Sequence, residues 1–182
     1  MNNKPILIVL GEPSSIFSEL LFKAFKYKSF KKIKRPLLII GSERLLKTQM
    51  KTLKYFIKIK KIRFSKNTKL NNNYINIIDV NYNFKKAFDK ISNKSEKYIN
   101  DCFKIALELL KKKLAFSLIN GPISKTHFLK KKYLGVTEYL SKKLNMKNKP
   151  TMLIYNPSFS VCPITTHVPL SRVSRILSKK KI

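Results

Sequence analysis

Pro5-Ile6-Leu7-Ile8-Val9-Leu10-Gly11-Glu12-Pro13 decides how the chain is read. The first six residues form a continuous apolar run, and Gly-Glu-Pro ends it. A strand with one wet face alternates apolar and polar residues; a continuous run has no wet face. That is the pattern of a parallel strand covered by helices on both sides. Next, Ile16, Leu20, Leu21, Ala24 and Phe25 recur at helical spacing. Pro36–Ile40 is a second apolar run, stopped at Gly41, and Ser42 is the expected N-cap of a helix carrying Leu45, Leu46, Met50 and Leu53 on one face. Strand, helix, strand, helix is the rhythm of a doubly wound α/β fold.

Further along, Phe56–Phe64 alternates apolar and basic residues, as a strand with one wet face would, and Ser65–Asn73 reads as a loop. Tyr74–Val80 is strand-like, while 81–93 shows no period. Asn93-x-x-Glu96 resembles a capping box. It precedes the clearest helix, with Tyr98, Ile99, Cys102, Phe103, Ala106, Leu107 and Leu110 in one stripe, ending at Lys111-Lys112-Lys113 where cations suit the helix dipole. Leu114–Ile119 reads as another buried strand, and Thr137 as the N-cap of a helix through Leu140 and Leu144. Met152–Tyr155 and Val161–Thr165 read as further strands, the latter buried. Leu170–Lys181 reads as a last amphipathic helix with Val173, Ile176 and Leu177 inward. No boundary is placed within 1–182.

The chain has 182 residues, 43% of them hydrophobic, enough to bury a core. Its net charge of +31 invites a nucleic-acid reading. Of the 40 basic residues, however, only five are Arg, and the lysines are spread along the chain. Abundant Lys, Asn, Ile, Phe and Tyr with scarce Gly is what an AT-rich coding sequence produces. Base and phosphate readers favour the Arg fork, so nucleic acid is not the expected partner. Cys102 and Cys162 form no Cys-x-x-Cys pair, and both are expected as buried thiols. No targeting pattern and no apolar run of membrane-spanning length is present, so the expected location is the cytoplasm, away from membranes.

Open α/β sheets bind ligands at the carboxyl ends of their strands. Loops 11–19, 120–125 and 165–169 each follow an expected strand, and Gly135-Val136-Thr137-Glu138 opens a helix. Together they offer an imidazole for a metal at His167, an ammonium for an anion at Lys125, and a hydroxyl at Thr137. A lone His at a strand end is more often a satisfied polar group than a ligand, and a Thr at a helix start is usually only a cap. No Gly-x-Gly-x-x-Gly or Walker loop is present. His127, in a Lys-rich segment, is expected at the surface.

These blocks carry a resemblance. Gly11-Glu12-Pro13 with Glu19, Asn120-Gly121-Pro122-Ile123-Ser124-Lys125, Gly135-Val136-Thr137-Glu138-Tyr139-Leu140 and Thr165-Thr166-His167-Val168-Pro169-Leu170 resemble, in order and spacing, the 4-hydroxythreonine-4-phosphate dehydrogenases of pyridoxal phosphate biosynthesis. The resemblance runs from Pro5 to about Ile176 and covers about the first half of a family member. It implies a three-layer α/β/α fold of the isocitrate/isopropylmalate dehydrogenase-like type, incomplete at the carboxyl end. It also implies oxidation of 4-phosphooxy-L-threonine by NAD or NADP, then decarboxylation, in a homodimer. A divalent metal (Zn, Mg or Co) is held by three histidines in the family, and His167 matches the first. Thr137 matches a substrate-contacting hydroxyl, and Lys125 a Lys suited to the phosphorylated substrate.

Three departures stand out. Val136 occupies a position where the family usually has a substrate-side His. In the family's first loop, usually Gly-Asp-Pro-Ala-Gly-Ile-Gly-Pro-Glu, Glu12 here replaces Asp and Ser15 and Phe17 replace glycines. No other family metal histidine is present by Ile182, so the expectation is a fragment or truncated product, inactive alone and prone to associate. Two other readings are a non-catalytic family member and a basic nucleic-acid-binding protein.

Overall fold

The structure, a computed structural model, describes residues 4–130, 132–147, 150–166 and 168–178. The chain divides into two compact units, Met1–Lys130 and Lys131–Ile182.

The first unit is built on the run that opens the chain. Strand β1 (Ile6–Val9) pairs in parallel with β2 (Leu37–Gly41) and with β5 (Ser117–Asn120). Strand β4 (Ile75–Asp79) joins β2, and the short β3 (Ile59–Lys61) joins β4, also in parallel. The order is β3-β4-β2-β1-β5. From β1 the chain adds β2, then β3 at the far edge with β4 inserted between them, and returns to add β5 on β1's other side. That reversal makes the β1/β5 junction the topological switch point of the sheet.

Alternation along the strands sends their side chains to two faces. On one face Ile8, Ile39 and Ile77 form a core with Leu21, Phe22 and Phe25 of α1 (Phe17–Lys26) and Leu46 and Met50 of α3 (Glu43–Thr52). The intervening Leu7, Val9, Leu38 and Ile40 are fully buried too. Helix α4 (Glu96–Lys111) packs on β1 and β2 and buries the stripe from Tyr98 to Leu107. Helices therefore cover both faces, and the unit is the three-layer α/β/α expected. A one-turn helix, α2 (Lys28–Lys31), follows α1.

Ser42 caps α3 as its side chain predicts, accepting from the Leu45 amide at 3.3 Å. The capping box before α4 is not formed. Asn93 Oδ1 is engaged by His127 and Glu96 by Lys130, so neither reaches the helix backbone. Instead 93–95 makes a 3₁₀ turn. Leu114–Ile119 is also not a buried strand, because β5 is an edge: Phe116 and Ile119 are exposed.

Both α3 and α4 end in Schellman motifs. Lys54 and Lys113 stand in the left-handed conformation, at φ 56° and 55°. The Lys54 and Tyr55 amides return to Lys51 and Met50, and the Lys113 and Leu114 amides to Leu110 and Leu109. Glycine is the favoured residue there, and this glycine-poor chain uses lysine. Lys54→Gly is expected to stabilise the protein by about 0.5–1 kcal/mol, a rise of a few degrees in thermal midpoint by circular dichroism.

In the second unit the reading of Val161–Thr165 as a buried strand is overturned. Asn156-Pro157-Ser158-Phe159 reverses the chain: the Asn156 amide donates to the Phe159 carbonyl at 3.0 Å, and Asn156 Oδ1 accepts from Ser158 at 2.9 Å. The two apolar runs therefore pair with each other, antiparallel, as two-residue strands β6 (Ile154–Tyr155) and β7 (Ser160–Val161). Both strands are exposed, and so is Cys162, against the expectation of a buried thiol. Cys102 is buried as expected, which pushes its thiol up to about 12. Helix α5 (Val136–Lys143) begins before Thr137. Gly135 is its N-cap, and Thr137 lies inside the first turn rather than capping it. The last helix is shorter than expected: α6 (Leu170–Ile176) buries none of its residues, and Leu177 is exposed. Among the described residues no helix is long and apolar enough to cross a membrane.

Candidate active site

The carboxyl edge of the sheet at the β1/β5 switch point is closed by two glycines. The Gly121 amide donates to the Val9 carbonyl at 2.8 Å, and the Glu12 amide to the Pro122 carbonyl at 2.8 Å. Gly11 has a φ of +73°, and a Cβ on it would lie 2.4 Å from the Pro122 oxygen. A Cβ on Gly121 would lie 2.2 Å from the Leu10 oxygen. No other residue fits either place, so the loops after β1 and β5 are locked together through their backbones.

Glu12 follows immediately, and its carboxylate is turned inward, only 4% exposed. Ser95 Oγ, at the start of α4, donates to Glu12 Oε2 at 3.1 Å. Burial raises the Glu12 carboxyl above its ordinary value, while the Ser95 hydroxyl and the nearby His127 charge pull it down without cancelling the rise. His127, expected at the surface, is half-buried and within 3.1 Å of Asn93 Oδ1 through its Nδ1. It lies in a π-helical turn, Lys125–Leu129, opened by Ser124, whose Oγ accepts from the His127 amide at 3.1 Å. Lys130 closes that turn on α4 by pairing with Glu96. Four segments are thus tied at one edge: the β1 loop, the 93–95 turn, the start of α4 and the π turn.

The sequence reading did not single out Glu12, Ser95, Gln49 or Tyr82 as site residues. Gln49 is a buried polar residue on an otherwise apolar helix face, which is the one signal that marks it. Its Nε2 donates to the carbonyls of Pro13 (2.7 Å) and Ala87 (3.0 Å), joining the β1 loop to 81–90. Between them lies a cavity of about 270 Å³, bordered by Glu12, Ser14, Tyr82, Asp89, Lys90 and Lys94.

The sign of the Glu12 contribution is testable. A carboxyl whose folded value lies above its unfolded one contributes stability fully below the unfolded value. That contribution is lost as pH rises through the folded value. Glu12→Gln keeps an acceptor for Ser95 and removes the charge. The variant is expected to exceed the parent in urea midpoint at neutral pH, with the gap closing as the pH falls toward about 4.

The other expected site residues fall as follows. Lys125 is exposed, at the start of the π turn in the first unit. Val136 and Thr137 open α5 in the second unit, half-buried. There Thr137 and Glu138 share a cavity of about 630 Å³ with Thr165, Thr166 and Val168. His167 itself lies outside the described residues. Among the described residues no group of three or more His, Cys, Asp or Glu could hold a metal ion.

Known proteins resemble this chain over nearly its whole length. The sequence model of the family described as "Pyridoxal phosphate biosynthetic protein PdxA" matches residues 32–182. A 4-hydroxythreonine-4-phosphate dehydrogenase of Sulfurihydrogenibium sp. (strain YO3AOP1) is 31% identical over 180 residues, covering 97% of this chain and 54% of that protein. One from Aquifex aeolicus (strain VF5) is 28% identical over 184 residues, covering 99% and 55%. In three dimensions, a putative 4-hydroxythreonine-4-phosphate dehydrogenase from Salmonella typhimurium superposes with a TM-score of 0.83 at 22% identity, covering 98% of this chain and 55% of that one. The enzyme of the same name from Burkholderia phymatum gives 0.84 at 21% identity, covering 98% and 54%. The chain spans about half the length of the curated relatives it matches.

Proposed function

Because the chain belongs to the PdxA family of pyridoxal phosphate biosynthetic proteins, we propose that it supplies the substrate-recognising part of a 4-hydroxythreonine-4-phosphate dehydrogenase. The observation that carries this reading is the cavity of the second unit, where Thr137 meets Thr165, Thr166 and Val168, the sequence neighbours of His167. The substrate is a phosphorylated hydroxy-amino acid, 4-phosphooxy-L-threonine. The Thr137 hydroxyl hydrogen-bonds the polar amino-acid end of that substrate. Val136 supplies shape alone, since an isopropyl group cannot donate a hydrogen bond.

In that reaction NAD or NADP would serve as the hydride acceptor for the substrate's 3-hydroxyl carbon, whose hydroxyl gives up a proton. The resulting 3-oxo acid then loses CO2. His167 is one donor toward a divalent cation (Zn, Mg or Co), which would supply Lewis-acid stabilisation of the oxygen. The sequence holds two histidines, His127 and His167, and among the described residues no set of three donors assembles for that ion. The setting proposed is a cytoplasmic homodimer.

Calorimetric titration with 4-phosphooxy-L-threonine tests the reading. The chain is expected to bind it, and these 182 residues alone are expected to give no NADH or NADPH signal. Thr137→Val is expected to weaken binding about tenfold, the scale of one hydrogen bond to a charged ligand. Absence of binding, or binding indifferent to Thr137→Val, would remove the proposed recognition role; turnover would remove the claim of inactivity.

A further inference from the structure

At the amino-terminal edge of the sheet, opposite the β1/β5 loops, the first unit holds a second cavity of about 760 Å³. Its size is within the range, about 300–1,000 Å³, of pockets that enclose small-molecule ligands. Lys4, Lys34, Lys66, Lys69 and Lys113 line it, and no Asp or Glu does. They arrive from four separate segments: the approach to β1, the approach to β2, the 65–73 loop and the end of α4. None of the five takes part in an ion pair among the described residues. Ammonium groups gathered on one concavity repel one another, and a polyanion relieves that repulsion.

The Lys113 ammonium is not needed to finish α4, whose last carbonyls already receive the Lys113 and Leu114 amides at 2.9 Å each. The floor of the cavity is built. Asn72, 8% exposed, accepts from the Leu37 amide at 2.8 Å and donates to the Ile33 and Arg35 carbonyls, fixing the loop that carries Lys66 and Lys69 against β2. Phe64, Leu70 and Leu114 give the cavity an apolar wall, and Asn67 and Asn71 stand among the lysines.

An apolar wall with an aromatic ring beside a cluster of cations suits a flat ring that carries several phosphates. We propose that this cavity binds a nucleoside polyphosphate, with the base on the Phe64 wall and the phosphates among the five lysines. The site shares no residue with the proposed substrate cavity, so either can fail without the other.

The probe is ATP, titrated calorimetrically at about 150 mM salt, where long-range attraction to a +31 chain is largely screened. The triple variant Lys34→Gln/Lys66→Gln/Lys69→Gln is expected to weaken ATP binding at least about fivefold. Lys51→Gln/Lys104→Gln/Lys147→Gln removes the same charge elsewhere and is expected to change it less than about twofold. Inorganic triphosphate, with no base to lie on Phe64, is expected to bind about tenfold more weakly than ATP. Equal weakening by both triple variants would reduce the effect to net charge and overturn the site. Triphosphate binding as tight as ATP would overturn the nucleoside assignment, and no ATP binding at all would overturn both.

Discussion

Gly121→Ala is expected to cost about 3 kcal/mol or more of folding stability, a large drop in urea midpoint. A methyl group there meets backbone and ring together: the Leu10 oxygen at 2.2 Å, the Leu10 carbonyl carbon at 2.8 Å and Phe17 Cδ1 at 2.8 Å. A flexible side chain could swing away, but the end of β1 cannot move without breaking its pairing with β2 and β5. Relief therefore means separating the β1 and β5 loops and losing the Gly121–Val9 and Glu12–Pro122 hydrogen bonds. Gly135→Ala is the control. Its added Cβ would meet only the tip of Glu138 at 3.1 Å, and its backbone is extended, so the expected cost is below about 1 kcal/mol, mostly lost capping. If the two substitutions cost the same, the locked crossing of the loops is not what holds this edge.

Phe103→Ala is expected to cost about 3–5 kcal/mol, the range for truncating a buried aromatic residue to alanine. Phe103 is fully buried on α4, and its ring stacks on Phe128 at 6.1 Å between centroids. Phe128 belongs to the π turn that carries Lys125 and His127. The loss therefore falls on the turn as well as on the core beneath α4. Amide exchange should accelerate from Ser124 to Lys130 before it does in β1 and β2, whose buried strands have other partners. Uniform acceleration across the sheet would show that the turn is not seated through this ring pair.

Much of the first unit is legible in the sequence because its signals are local and strong. The uncharged run before Gly11, the stripe from Tyr98 to Leu107 and the Ser42 cap each name their own structure. The tertiary structure overrode the sequence where a local signal met a competing partner. Asn93 and Glu96 have the spacing of a capping box, but His127 and Lys130, more than thirty residues away, take their side chains. The run at Val161 is apolar enough for a core, but the Asn156-Pro157 turn folds it back on Ile154 first.

The candidate site divides in the same way. Thr137 and Lys125 stand out in the sequence as a hydroxyl at a helix start and an ammonium in a loop, because that chemistry lies in single side chains. Glu12, Ser95 and Gln49 could not be read so, because their roles exist only when distant loops meet at the carboxyl edge.

What the amino-acid sequence determined by itself is the succession of parallel strands and covering helices, since hydrophobic period and end signals act within a few residues. What only the tertiary structure decided is which strand became an edge, which carboxylate was buried, and where lysines gathered around one cavity. Burial and electrostatic fields are sums over neighbours in space, and those neighbours are not adjacent in the chain.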